Sequence, residues 1–264
     1  MLQIFIVSLK QDLQKRNTIS SILEGFGLDF TFIDAVYGKE LPIDCLNAIG
    51  AKGSGSVLSR GFLPTPGEVG CTLSHLKVYK EVLNRGLEWA CILEDDVILD
   101  DRFEIFIKKF EGSDLNKESL YLLGGQNGIS GASLIIKSYK NFQIIGGQKF
   151  CKTIKSEGYI NRSCCYLINS YLAKELLDLS NTTFILADDW KYLLETNLIN
   201  NIYLSDFVDH PIDLTNSHIH DERADAALRK IRPKVSFFKK VKSFTHHKLR
   251  PLVLKSYKFI EKKD

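Results

Sequence analysis

The sequence predicts an α/β fold built on a mixed, mainly parallel sheet flanked by helices. Three observations carry that reading. The chain opens on a strand–helix–strand pattern: Leu2 to Leu9, a helix bearing Ile19, Ile22, Leu23 and Phe26, then Phe30 to Val36. A unit of that length places two strands side by side and parallel. Further on, a helix over Pro66 to Gly86 precedes a short apolar strand, Ala90 to Leu93. That strand sits within WACILEDDVIL, Trp89 to Leu99, and delivers three consecutive acids at its carboxyl end, Glu94, Asp95 and Asp96. In α/β sheets that end is where ligands bind.

Taken in order, the first helix starts in the polar stretch from Lys10 and ends at Gly25 and Gly27. Arg16 lies in it and is a candidate phosphate contact, although most such arginines are only solvated. Gly50 to Gly61 is rich in Gly and Ser without apolar periodicity. It reads as a flexible loop, either a lid that orders on substrate or a linker. In the next helix Pro66 suits the first position, Glu68 the first turn and Gly86 the end. Val69, Leu73, Leu76 and Leu83, with Tyr79 or Lys80 between them, mark its buried face. Ser74 and His75 are polar groups beside that stripe, and a lone helical His is more often a satisfied residue than a catalyst.

Arg102 to Phe110 reads as a helix and Leu120 to Leu123 as a strand ending in Gly124–Gly125. Ser133 to Ile136 and Phe142 to Ile145 are short segments that could pair. Cys165 to Ile168 is another strand, after which Asn169 or Ser170 caps a helix bearing Leu172, Ala173, Leu176 and Leu177. Ile202 to Leu204 is a late strand, and His210–Pro211 a turn.

Composition bounds the class. A chain of 264 residues fits one large domain, or a domain with an appendage. No run of 18 apolar residues marks a membrane span. The opening MLQIFIVSLKQ reads as a first strand and not as a signal peptide, so a cytoplasmic location is the expectation. The six cysteines form no CxxC pair, which suits structural thiols in a reducing compartment. Cys164 and Cys165, being adjacent in a strand, would project to opposite faces.

Charge divides the chain into 1–228 and 229–264. The tail holds 13 Lys plus Arg and 2 acids, the remainder 22 basic and 30 acidic residues. Pro233 and Pro251 each suit a first helical turn. Phe237, Val241 and Phe244 share one helical face, and Val253, Tyr257 and Ile260 another, with lysines around them. That is the pattern of a basic amphipathic helix suited to an anionic membrane surface, or of a helix packed on the body with a solvated basic face. The acidic body offers no groove for nucleic acid.

Burying even one unpaired carboxylate costs several kcal/mol, so three in a row need water, a cation or several donors. A divalent metal serving a phosphate-bearing substrate answers that need; a self-solvating acidic turn is the plain alternative. A second acidic feature, Asp188 and Asp189 before Trp190, again follows an apolar run. It suits general-base chemistry or simple helix capping. His218 and His220 share a face if their segment is extended, which suits a metal ligand or merely two exposed histidines.

Together IFIVSLKQDLQKR, FTFIDAVYGKEL, PGEVGCTLSHLKVYKEVL, ILEDDVIL, CCYLINSYLAKELL and ADDW resemble the glycosyltransferase family 25 domain, the lipopolysaccharide and lipooligosaccharide galactosyltransferase type. The resemblance covers Leu2 to about His220 and excludes the tail. It implies a GT-A-like nucleotide-sugar-binding fold and inverting transfer of galactose or glucose from a UDP-sugar, with Mn²⁺ or Mg²⁺. Glu94-x-Asp96 looks like the family's DxD motif, in which the last acid binds the metal and the first reaches the ribose or a second metal position. Asp95, Leu9, Arg16, Gly70, Ser74 and His75 would line the same donor pocket. A late His ligand, common in that fold, points to His218 or His220. Asp188 or Asp189 would be the base; many relatives carry a proline where this chain has Leu186 and Ala187, which leaves the choice open.

The expected acceptor is a lipid-linked lipooligosaccharide core at the inner face of the cytoplasmic membrane, where the tail would hold the enzyme. The short chain without a secretory leader points away from the collagen-modifying branch. Two rivals remain: a nucleotidyltransferase acting on sugar phosphates, and a membrane-tethered module that binds sugar nucleotides without turnover.

Overall fold

A computed structural model describes residues 2–59, 63–129 and 131–212, together with Glu222. His218, His220 and the basic tail lie outside the described residues. In chain order the elements are β1 (Gln3–Ser8), α1 (Leu13–Gly25), β2 (Phe30–Asp34), α2 (Ile43–Ala51), α3 (Gly55–Ser59) and α4 (Pro66–Asn84). They continue with β3 (Trp89–Glu94), α5 (Asp101–Lys108), β4 (Ser119–Gly124), β5 (Lys137–Ile145) and β6 (Gln148–Thr153). β7 (Cys165–Asn169), α6 (Ser170–Ser180), α7 (Trp190–Glu195) and β8 (Asn201–Val208) complete the set.

The eight strands form one sheet in the order β2-β1-β3-β7-β4-β8-β6-β5. β1 pairs parallel with β2 and β3, and β4 with β8. The other four neighbouring pairs are antiparallel, so the sheet is mixed and not mainly parallel as expected. The opening strand–helix–strand pattern reports only the first half of the sheet. In the second half β5 and β6 form a hairpin, which needs two turn residues where a parallel pair needs a crossover. Gly146 and Gly147 supply them, at φ +53° and +79°, a region open to glycine. β7 is the other reversed strand, inserted between β3 and β4. Even so, β1, β3, β4 and β8 all point the same way, and their carboxyl ends share one edge.

Both faces of the sheet are covered, which is why its central strands read as unbroken apolar runs. Ile4, Ile6, Cys91 and Leu93 join Phe103 and Phe106 of α5 on one face. Phe5, Ala90 and Ile92 join Val78 and Val82 of α4, and Leu172 of α6, on the other. The core of α4 is rotated from the expected stripe: Val69, Val78, Tyr79 and Val82 are fully buried, with Leu73, Leu76 and Leu83 only partly so. That rotation turns Ser74 and His75 inward.

Three local expectations change. Gly50 to Gly61 is no flexible loop where described: α2 runs through Ala51, and α3 begins at Gly55. Val57 is 1% exposed and packs with Val69 and Phe184, and Ser54 N donates to Phe184 O at 2.8 Å; this tertiary anchoring outweighs weak local propensity. The segment at Ser133 does not pair with Phe142, because Ala132–Leu134 is a short helical turn and β5 pairs onward with β6. Cys164 precedes the first residue of β7, so both adjacent thiols enter the same core cluster, their sulfurs 3.7 Å apart.

Candidate active site

The carboxyl ends of β1 and β3, with one face of α4, enclose a cavity of about 140 Å³. Its wall includes Leu9, Lys15, Tyr37, Ser74, His75 and the three acids of β3. Glu222 reaches the rim from far along the chain. Its Oε2 accepts from Gly67 N at 2.7 Å, and its Oε1 lies 3.6 Å from Lys39 Nζ.

The three acids face different partners. Glu94 ends β3, its N–H donating to Cys164 O at 2.8 Å. Its Oε1 accepts from Ser163 Oγ at 2.8 Å and lies 3.6 Å from His75 Nε2. Burial works to raise its pKa, but the His75 ring, the Ser163 hydroxyl and His210 outweigh that and hold it below the usual carboxylate range. Asp95 behaves oppositely. Burial, with Asp96 and Glu94 nearby, raises it against the Ser8 hydroxyl and Lys15. Lys15 Nζ stands 3.5 Å from both Asp95 Oδ1 and Asp96 Oδ2.

Asp96 Oδ1 is buried without a hydrogen-bond partner, and His210 Nε2 lies 3.4 Å from it. The other ring nitrogen of His210, Nδ1, lies 2.9 Å from Pro211 O. A carbonyl only accepts, so Nδ1 carries a proton there, and Nε2 is the ring nitrogen turned toward Asp96. The buried Asp96 Oδ1 needs a donor or a cation at that point. One ligand atom each from Glu94, Asp96 and His210 falls within 4.8 Å of the others. Two carboxylates and an imidazole, with the second ring nitrogen held by a carbonyl, fit a divalent metal.

Sequence reasoning treated His210 only as part of a turn. It becomes a site residue because β8 runs parallel to β4 and the chain after it pairs beside Ile98, bringing His210 to Asp96. Asn127 holds it there, accepting from His210 N at 3.0 Å and donating to His210 O at 2.6 Å. Lys15, Ser163 and Arg162 were missed as well, since none carries a distinctive spacing.

Asp188 and Asp189 are not among the residues lining that cavity, and the two are engaged differently. Asp189 is the N-cap of α7, accepting from Tyr192 N at 3.4 Å. Asp188 Oδ2 accepts from Arg162 N at 3.2 Å. Arg162 adopts a left-handed conformation, φ +66°, costly for a side chain and kept only where the surroundings enforce it. Its Nη1 donates to Gly125 O and Asn127 O, both at 2.8 Å, and Trp190 Nε1 donates to its carbonyl at 3.1 Å. Arg162 and Ser163 thus link Asp188 to Glu94 through adjacent residues.

Among the other expected donor contacts, Leu9 and Ser74 line the cavity. The Ser74 hydroxyl accepts from Val36 N at 2.8 Å and donates to Gly70 O at 2.6 Å, pinning the chain after β2. Gly70 acts through closeness: a Cβ there would stand 2.5 Å from Val36 O. Arg16 is not among the lining residues; it donates to Ser8 O at 2.8 Å, Leu9 O at 3.1 Å and Asp34 Oδ1 at 2.6 Å. It buttresses the end of β1, and Lys15 beside it faces the acids. His75 lines the wall yet is 1% exposed, with Nδ1 2.8 Å from Tyr166 Oη, itself 2.8 Å from Tyr79 Oη.

A family model described as glycosyltransferase family 25 (LPS biosynthesis protein) matches residues 1–191. Procollagen galactosyltransferase 1-B of Xenopus laevis is 37% identical over 109 residues, 40% of this chain and 17% of that protein. A glycosyltransferase 25 family member of Aedes aegypti is 29% identical over 192 residues, 66% of this chain and 28% of that protein. Inactive glycosyltransferase 25 family member 3 of Mus musculus is 36% identical over 104 residues, 38% of this chain and 17% of that protein. The chain therefore spans less than a third of the length of these relatives. Among solved structures, a glycosyltransferase involved in the glycosylation of the major capsid of PBCV-1 aligns with a TM-score of 0.39 and 9% identity, covering 86% of this chain and 98% of that one.

Proposed function

The chain belongs to glycosyltransferase family 25, and from that premise we propose that it transfers a hexose, galactose or glucose, from a UDP-sugar to an acceptor hydroxyl with inversion. The observation that carries this reading is the convergence of Glu94, Asp96 and His210, of which the two acids line the cavity at the carboxyl ends of β1 and β3. These three would hold Mn²⁺ or Mg²⁺, which when bound neutralises a diphosphate and eases departure of UDP. Lys15 adds positive charge on the same wall. Asp188 takes the proton from the acceptor hydroxyl, whose oxygen forms the new bond to the anomeric carbon as the bond to UDP breaks. Arg162 N orients that carboxylate. One base suffices, because the leaving diphosphate needs no proton.

For the acceptor we favour a lipid-linked lipooligosaccharide core at the inner face of the cytoplasmic membrane. The family description and the excess of basic residues at 229–264 support it. A protein acceptor is the second reading, favoured by the relatives named procollagen galactosyltransferases.

The test incubates the full chain with UDP-galactose or UDP-glucose and Mn²⁺. Each donor is offered either lipooligosaccharide or a procollagen peptide, and UDP release and product mass are followed. Transfer to one acceptor class decides between the two readings. Asp96→Ala should abolish transfer while leaving the melting curve intact, and full activity in that variant would remove the metal assignment. Saturable UDP-sugar binding without turnover in every arm would instead make the chain a binding module.

A further inference from the structure

We propose that Cys71, His75 and Glu94 form a second cation site, which takes a thiophilic divalent ion of the zinc class and blocks the donor site when filled. Cys71 and His75 are four residues apart on α4 and so share one helical face. Glu94 meets that face from the end of β3. One ligand atom from each residue lies within 4.8 Å of the other two. His75 Nε2 and Glu94 Oε1 are 3.6 Å apart, close to the roughly 3.3 Å edge of a tetrahedron with zinc bonds of about 2.0 Å.

The second observation is His75 itself. The residue is 1% exposed, and its Nε2 is buried with no hydrogen-bond partner. Its Nδ1 contacts Tyr166 Oη, which contacts Tyr79 Oη. Two hydroxyls in series can donate in either direction, so the ring can hold a proton on Nδ1 and offer Nε2 to an ion. A metal-bound imidazole has this arrangement, its far nitrogen held by a fixed acceptor.

The donor set decides the ion. Thiolate, imidazole and carboxylate select zinc-like ions, whereas the two carboxylates and imidazole of the neighbouring set suit Mn²⁺ or Mg²⁺. Binding releases the Cys71 thiol proton to solvent. The cavity supplies the entry path and room for water as a fourth ligand. Glu94 belongs to both sets, so an ion held by Cys71 and His75 draws it away from Asp96 and His210. Only this inhibitory consequence rests on the function proposed above; the site itself does not.

The probe is Co²⁺ titrated into the chelator-stripped full chain, followed by its thiolate charge-transfer absorption. We expect a band that is retained in His210→Gln and in Cys45→Ser. It should vanish in Cys71→Ser, with metal affinity down at least about tenfold, the loss that removing even a supporting partner causes. His75→Gln provides a second variant should Cys71→Ser fold poorly. In turnover assays the half-inhibiting Zn²⁺ concentration should rise at least about tenfold in Cys71→Ser, measured against that variant's own zinc-free rate. A band that persists in Cys71→Ser, or none in the unaltered chain, overturns the site. Because the absorption needs no turnover, its failure is separable from failure of the glycosyltransferase reading.

Discussion

Asp189 closes the first turn of α7 through Tyr192 N, while Asp188 accepts from Arg162 N beside the residue that touches Glu94. Asn caps a helix as well as Asp does, so Asp189→Asn should leave both stability and transfer within a few-fold of the unaltered chain. Asp189→Ala should cost about 1 kcal/mol in denaturant unfolding. Asp188→Asn keeps a hydrogen-bonding side chain but cannot take a proton, and UDP release should fall by about 10²–10⁴. The reverse pattern would move the base to Asp189. Asp95 gives a pH test. Its folded pKa is raised by burial and by its acidic neighbours, so its share of stability is present at low pH and lost as pH rises through the folded value. Asp95→Asn should therefore raise the melting temperature of the metal-free protein at neutral pH and flatten its dependence from about pH 4 upward. The acids themselves were legible because consecutive carboxylates after an apolar run have few inexpensive explanations. His210 was not, since one histidine before a proline has no spacing to read. The β4–β8 pairing, the Ile98–Asp209 bridge and Asn127 together deliver it.

The helix α4 carries the largest share of the site on one element. Its start is fixed by a reciprocal cap, Thr65 Oγ1 accepting from Glu68 N at 3.3 Å and Glu68 Oε2 from Thr65 N at 2.9 Å. Pro66, Glu68 and Gly86 announced its ends in the sequence. Which face it buries was harder to read, because its leucines do not fall on the face that meets the sheet. Gly70 lets it approach Val36, and Gly70→Ala should cost about 1–3 kcal/mol by overpacking. The same change should raise the KM for donor by displacing Tyr37, a lining residue; an unchanged melting temperature would show that the chain can yield there. The stretch at Gly50 to Gly61 misled for a related reason. Its composition is that of a loop, and only the more distant Val69 and Phe184 give Val57 a reason to be buried.

For the molecule as a whole, an ion held by Glu94, Asp96 and His210 would bind only the folded chain, since these residues meet only there. Mn²⁺ at about 100 times its Kd should then add about 2.7 kcal/mol, or roughly 2–4 °C of melting temperature per kcal/mol for a domain of this size. Asp96→Ala should melt at one temperature with or without Mn²⁺. Strand direction was legible for the first half of the sheet and not for the second, where β6 and β7 run against the rest. The insertion of β7 between β3 and β4 has a consequence for synthesis. A chain emerging amino end first completes β3 and β4 before the strand that separates them exists. Until residues 163–169 appear, Glu94 has neither the Ser163 hydroxyl nor the Cys164 carbonyl, and the two halves of the sheet have nothing to join them. His210 comes later still. The cavity edge is thus assembled only after residue 210 has been made, through pairings of long sequence separation that slow folding. Ion affinity in chains stalled at successive lengths would date its completion.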